Sequence, residues 1–229
     1  MTPTVTIGPH RLYLGDAYAL RPTLGWMDAD ILDPPYKIRA EGGGQYRKDR
    51  PRFDQIVAEE LHKDFDRSII NPLQCGAAIV FASNDQLADL LAHLRGNFHR
   101  YALCIWQKTN PQPIANKNYR TDVEFYIHAW RADHHPIGTV SEKLRVTTTG
   151  APRGKMRFGH ATPKPDVLMS KIVGNAAGRT ICDPFMGTGA TGIAAIRAGR
   201  IFTGIEHNPR HFETAVRRIT AAYEERAAA

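Results

Sequence analysis

Apolar runs suited to buried strands alternate along the chain with stretches of helical periodicity. "GAAIVFAS", residues 76–83, is almost wholly apolar, the pattern of a strand covered on both faces. "NDQLADLLAHLRG" follows, with apolar residues at spacings of three and four behind a capping Ser or Asn, which predicts a helix closing at Gly96. The alternation repeats near the C-terminus: "RTICDPF" reads as a strand, "GATGIAAIRAG" as a helix, "RIFTGIEH" as a strand, and "NPRHFETAVRRITAAYEE" as an amphipathic helix covering the sheet. Near the start, "RLYLGD" and "ADILDPPY" read as strands with "AYALRPTLGWM" as a helix between them. "RYALCIWQK" and "VEFYIHAWR" are two more strands around "TNPQPIANKNYRT", while "QIVAEELHKDF" and, from about Pro165, "KPDVLMSKIVGNA" are further helices. Strands alternating with helices predict an open, mainly parallel α/β sheet.

Length adds that 229 residues suit one domain, residues 1–229, with a substantial core. No apolar run approaches the length that crosses a membrane, and the N-terminus lacks the pattern of a secretory signal, so a cytoplasmic protein is expected. Cys75, Cys104 and Cys182 are widely spaced and odd in number. They read as reduced core residues, and no metal site is expected. The net charge of +7 becomes informative once located. Residues 37–52, 108–120 and 143–157 together carry +12, leaving −5 on the rest. All three segments are rich in Gly or Pro and read as loops. Regions 37–66 and 108–160 contain these segments and read as a grip on a polyanion, with Lys37, Arg39, Arg47, Lys48, Lys108, Asn110, Lys117, Arg153 and Lys155 as candidate contacts. Solvated loops without a partner are the plainer alternative.

Two motifs carry chemistry. In "ICDPFMGTGATGIAAIRAGRIFTGIEHN", Gly187, Gly189 and Gly192 fit G-x-G-x-x-G between a strand and a helix, and Glu206 ends the next strand. Glycines there let the backbone approach a ligand, and an acid at the neighbouring strand tip accepts from a ribose diol. Helix–sheet packing is the plainer explanation of the glycines. A nicotinamide dinucleotide is one candidate ligand. Against it, the unit lies near the C-terminus, and the carboxylate of Asp183 would repel a pyrophosphate. A ligand with a sulfonium and an ammonium, S-adenosylmethionine, suits that carboxylate better. The second motif is Asp33-Pro34-Pro35-Tyr36. Two prolines fix φ and donate no hydrogen bond, giving a stiff loop with an acid at one end and an aromatic at the other. A strand-ending turn is the plainer reading.

The chain resembles the amino-group DNA methyltransferases of the beta arrangement. In that family a D-P-P-Y catalytic motif comes first, target recognition lies in the middle, and an F-x-G-x-G cofactor motif comes near the end, a circularly permuted order. Here these are Asp33-Pro34-Pro35-Tyr36 and Phe185-Met186-Gly187-Thr188-Gly189. "LYLGD", "IWQKTNPQP" and "HATPKPDVLMSKIV" also resemble family segments. The resemblance implies an α/β, Rossmann-like class I methyltransferase fold, with a seven-stranded, mostly parallel sheet in which one strand near an end is antiparallel. It also implies S-adenosyl-L-methionine as cofactor, DNA as partner, and Asp33, Pro34, Pro35 and Tyr36 as catalytic residues. Asp16, His160, Lys164, Asp183, Phe185, Gly187, Thr188, Gly189, Thr191, Glu206, His207 and Asn208 would serve the cofactor, His160 and Lys164 beside its methionine moiety. The middle region is short for the family, so the resemblance implies a small recognition element or none of the usual folded form, with 37–66 and 108–160 as DNA-contacting loops or small target-recognition insertions. Dimers occur among its members, but no interface is readable in this sequence.

The exocyclic amine of adenine is a poor nucleophile because its lone pair is delocalised. Attack on a sulfonium methyl makes its hydrogens positive, and two fixed acceptors, the Asp33 carboxylate and the Pro34 carbonyl, would stabilise that change. Tyr36 would stack on a base swung out of the duplex. Ring methylation of cytosine needs a cysteine after proline, whereas Gln74, Leu103 and Ile181 precede the cysteines here. Family members acting on the cytosine amine more often begin the motif with Ser, so Asp33 favours adenine N6 over cytosine N4. An oxidoreductase and a non-catalytic nucleic-acid binder are the competing classes. The adjacent His134 and His135 read as surface residues, and Trp106 as core or a wall of the target pocket.

Overall fold

A computed structural model describes residues 2–36, 64–111, 119–154, 158 and 163–228. Among these, nine strands form one sheet: β1 (Val5–Ile7), β2 (His10–Leu14), β3 (Met27–Leu32), β4 (Cys75–Ala82), β5 (Arg100–Lys108), β6 (Val123–Trp130), β7 (Val146–Thr149), β8 (Thr180–Asp183) and β9 (Ile201–Glu206). Their order is β1-β2-β9-β8-β3-β4-β6-β5-β7. Five α-helices accompany them: α1 (Ala17–Leu20), α2 (Asn84–Asn97), α3 (Asp166–Asn175), α4 (Ala190–Arg197) and α5 (Pro209–Ala227).

Seven strands with one reversed were expected; the sheet has nine with two reversed. The central seven, β2 through β5, contain a single reversed strand, β6, antiparallel to both β4 and β5. The additions lie at the edges. β1 pairs antiparallel with β2 across a turn at Gly8, whose φ of 53° suits glycine. β7 runs parallel to β5 from Val146 to Thr149, inside a basic segment expected to be loop. Its four residues are too few to show a period, and Thr147 rather than an apolar residue is its buried member.

β4 is buried along its whole length, and its side chains alternate between two cores. Ala77, Ile79 and Phe81 pack with Leu168, Ile172, Ile196 and Ile219 from α3, α4 and α5. Ala78, Val80 and Ala82 pack with Leu90 and Leu94 of α2. The predicted helix over "AYALRPTLGWM" is shorter: α1 makes one turn, then a 3-10 turn spans Arg21–Thr23. Pro22 has no N–H with which to continue the helix. Arg21 is drawn inward, donating to both oxygens of Asp30 (2.9 and 3.0 Å) and to the carbonyls of Gly25 and Gln74 (2.9 Å each). α2 passes Gly96 and ends at Asn97, where the Phe98 N–H donates to Leu94 and the Phe98 ring is buried. The helix predicted over "QIVAEELHKDF" falls mainly outside the described residues.

The parallel strands end on one side of the sheet. From β8 the chain proceeds outward to β9, and from β3 it proceeds the other way to β4. The strand order therefore reverses between β8 and β3, where an open α/β sheet forms a crevice beyond its carboxyl ends. No described helix is long and apolar enough to cross a membrane.

Candidate active site

A cavity of about 410 Å³ opens at that reversal point. Asp16 after β2, Asp33 to Tyr36 after β3, Phe185 to Thr188 after β8, and Glu206 to Asn208 ending β9 all line it. Lys164, Asp183 and Thr191 complete the expected residues on its wall. Asp33 and Gly187, more than a hundred and fifty positions apart, face one space. The volume is within the usual range of ligand pockets, roughly 300–1,000 Å³.

The glycine loop is built by its neighbours. Gly187 and Gly189 adopt φ of 52° and 85°, left-handed values that most side chains resist, and Gly189 caps α4. A β-carbon on Gly192 would lie 2.7 Å from Ile219 and 2.8 Å from Phe202, so the third glycine lets α4 settle between the sheet and α5. Glu206 ties strand tip to loop, one oxygen accepting from the Gly187 N–H (2.9 Å) and the other from the Asn208 N–H (2.8 Å). His207 Nδ1 also stands 3.3 Å from the oxygen that serves Asn208, while the oxygen that serves Gly187 has a second lone pair and retains accepting capacity. Arg218 of α5 braces the loop from behind, donating to the Thr188 carbonyl (2.6 Å). Asp183 accepts from the Phe185 N–H (2.9 Å) and the Thr191 hydroxyl (2.5 Å). Burial nonetheless pushes its pKa up to about 7. A cation placed beside it would restore the charged form. Asp16 accepts from the Tyr18 N–H at the start of α1, and the Tyr18 ring meets Phe185 edge-on at 6.1 Å.

Opposite lies a buried charge network around the Asp33 loop. Lys164 donates to both Asp33 oxygens (2.7 and 2.6 Å) and to the Tyr36 hydroxyl (3.2 Å). Its Nζ is also 3.4 Å from Glu124, whose other oxygen is 2.7 Å from Lys108. Tyr36 donates toward Asp33 (3.1 Å) or Glu124 (3.3 Å). The two acids respond differently. Burial lifts the Asp33 pKa above its ordinary value despite Lys164, whereas burial of Glu124 is outweighed by Lys164 and Lys108, which hold it below. Burial works against the Lys164 charge too, but Asp33 and Glu124 keep its pKa raised. The loop itself is pinned by Gln86, fully buried in the first turn of α2, which donates to the Pro35 carbonyl (3.0 Å) and to Asp64 (2.6 Å).

Lys164, expected beside the cofactor, is thus seated on the acid of the second motif while still lining the cavity. Lys108 has its ammonium on Glu124 with its side chain largely covered. The Asn110 side chain exchanges hydrogen bonds with the Ala151 backbone, and Arg153 donates to the Asn110 carbonyl (2.6 Å), so these residues join two loops. Lys37, Arg39, Arg47, Lys48, Lys117, Lys155 and His160 lie outside the described residues. Glu124, Gln86 and Arg218 were missed by sequence reasoning. Each sits in an ordinary strand or helix pattern, and only its partner across the fold gives it meaning. Trp106 is buried, its indole N–H donating to Thr149 (3.2 Å). Cys75, Cys104 and Cys182 are buried free thiols. His134 is largely covered, 3.5 Å from Asp28 and 2.9 Å from Asp133, rather than the surface residue expected.

Known proteins similar to this chain identify its family. A family model of N6/N4-type enzymes, described as DNA methylase, matches residues 27–217. The chain is 28% identical over 225 residues to the type II methyltransferase M2.DpnII of Streptococcus pneumoniae, covering 86% of this chain and 84% of that protein. It is 28% identical over 220 residues to M2.LlaDCHI of Lactococcus lactis subsp. cremoris, covering 84% and 82%. Among solved structures, the M1.HpyAVI–SAM complex superposes with a TM-score of 0.67 at 25% identity, covering 91% of this chain and 98% of that one. The PvuII cytosine-N4-specific DNA methyltransferase gives 0.68 at 13% identity, over 99% and 95%, a likeness of fold alone.

Proposed function

Because the chain belongs to the N6/N4 DNA methylase family, we propose that it methylates the N6 amine of adenine at specific sites in DNA, acting on a base swung out of the duplex. The observation that carries this reading is the shared cavity: the Asp33 loop and the glycine loop open onto one space of about 410 Å³. The nicotinamide alternative falls with the family assignment.

S-adenosylmethionine, the cofactor of the family, supplies an electrophilic methyl group when bound. The residues present fit it. Glu206 at the tip of β9 has accepting capacity for a ribose diol, and Asp183, buried and held near neutrality, gains from a neighbouring cation. Asp16, Phe185 and Thr188 line the same side. Facing them, Asp33 and the Pro34 carbonyl would accept the two hydrogens of the target amine. That pair makes stronger hydrogen bonds as the nitrogen acquires positive charge, so it favours the transition state over the bound substrate. Pro34 and Pro35 hold the carbonyls without rearrangement, and Gln86 anchors the loop from α2. The Tyr36 ring, with its hydroxyl on Asp33 and Glu124, forms the wall on which a base would stack. The basic segments supply the charge that holds a phosphate backbone.

The test is incubation with labelled cofactor and unmethylated genomic DNA, followed by nucleoside analysis. N6-methyladenine is expected, formed at least about a hundredfold more slowly by Asp33→Ala. N4-methylcytosine would overturn the choice of base and leave the family intact.

A further inference from the structure

The cation on Asp33 needs an explanation. If Asp33 accepts an amine that becomes positive during transfer, an ammonium held at 2.6 Å on the same carboxylate opposes the reaction. It withdraws electron density from the acceptor and repels the developing charge. We propose that Lys164 is a two-position cation that passes from Asp33 to Glu124 when the target amine engages Asp33, which makes Glu124 a positioning residue for methyl transfer. The proposal rests on the reading of Asp33 given above.

The second seat already exists. Glu124 Oε2 lies 3.4 Å from Lys164 Nζ, and a shift of about half an ångström would make an ordinary charge-assisted hydrogen bond. Lys108, 2.7 Å from Oε1, fixes the carboxylate in place without covering Oε2. The path is lined by aromatic faces, the Lys164 ammonium standing 4.7 Å from the Phe81 ring centre and 5.3 Å from that of Tyr36. Such faces attract a cation along the short way between two anions. The Tyr36 hydroxyl lies within reach of both acids and can turn its hydrogen toward whichever the lysine leaves. No bond to carbon forms or breaks in this step. A proton-bearing ammonium changes partner, and the network keeps its total charge. As the ammonium draws toward Glu124 its hold on Asp33 loosens, and Asp33, whose side chain is 25% exposed beside the cavity, becomes a stronger acceptor for the amine hydrogens.

A double-variant cycle separates this from a structural role. Glu124→Gln, Lys164→Met and the double variant are compared in single-turnover methyl transfer and in cofactor binding, after thermal unfolding shows each to be folded. Glu124→Gln leaves the lysine only one seat, so its transfer rate should fall about tenfold or more, while cofactor affinity changes less than about threefold. The double variant should transfer faster than Glu124→Gln, because no cation remains to hold Asp33. A network that merely props the loop would give a double variant as slow as Glu124→Gln or slower, and that result overturns the proposal, as does a Glu124→Gln rate equal to wild type. If Glu124→Gln does not fold, the cycle is run with Glu124→Asp, which keeps the charge at shorter reach, and the same sign of coupling decides. A wild-type chain that methylates DNA while the cycle fails loses only this proposal. One that transfers no methyl group removes the assignment of Asp33 as well.

Discussion

Two acids three residues apart, Asp30 within β3 and Asp33 just after it, live in opposite circumstances. Asp30, inside the strand, is sealed with Arg21; both are almost fully buried, and the guanidinium is saturated by two carboxylate oxygens and two carbonyls. Burial still lifts Asp30 to about 6, with Arg21 opposing it. Asp33, just beyond the strand, faces a cavity and shares its lysine with a second acid. A guanidinium fork offers fixed donors to fixed acceptors, so the first pair has one arrangement. An ammonium on a flexible stem between two carboxylates has two. The first network staples the chain between β2 and β3 to the sheet; the second is able to change.

The largest loss of stability is expected at the Arg21–Asp30 staple. Arg21→Met leaves Asp30 buried and unpaired and should cost about 3–5 kcal/mol in denaturant unfolding, whereas Arg21→Met with Asp30→Leu should recover much of that loss. Recovery of none would mean that the carbonyl contacts of Arg21, rather than the ion pair, hold the turn. Asp33→Ala should do the reverse. Methyl transfer should fall about 10²–10³-fold or more, the scale of losing a transition-state acceptor, with unfolding little changed and cofactor still bound. At the cofactor side, Glu206→Gln should weaken cofactor binding by about 1.5–3 kcal/mol in a calorimetric titration, since it loses charged hydrogen bonds to the loop and to the ligand.

The smallest effect is a pH dependence at Asp183. Its carboxyl is held at about 7 against an ordinary 3.8, so between those values the folded chain keeps a proton that the unfolded chain releases. Its contribution to stability is therefore fully present at low pH and declines as pH rises toward about 7. A cationic ligand favours the ionised form, so cofactor affinity should rise with pH below about 7, by up to about tenfold per unit, and level off above it. Asp183→Asn should flatten the profile measured between pH 6 and 8.

Much of this was legible in the chain. The apolar run of β4, the strand–glycine–helix unit around Gly187 and the double proline after Asp33 each announce a local structure that residue type dictates. β7 was not legible, since four residues with one buried threonine carry no period. The shortening of α1 was half legible, because Pro22 signals a break but not the inward turn of Arg21. At the site, Asp33, Tyr36, Asp183 and Glu206 stand out by motif. Glu124, Gln86 and Arg218 do not, since an acid on a strand, a glutamine in a first helical turn and an arginine on a surface helix are all commonplace.

Local sequence determined which segments would be strand or helix and which acids would terminate β3, β8 and β9, because backbone preference and side-chain period act over a few residues. Only the tertiary structure decided that those ends share one crevice and that Lys164 reaches back 131 positions to Asp33 with Glu124 beside it. Pairing of charges acts over a few ångströms of space, and distance along the chain does not enter it.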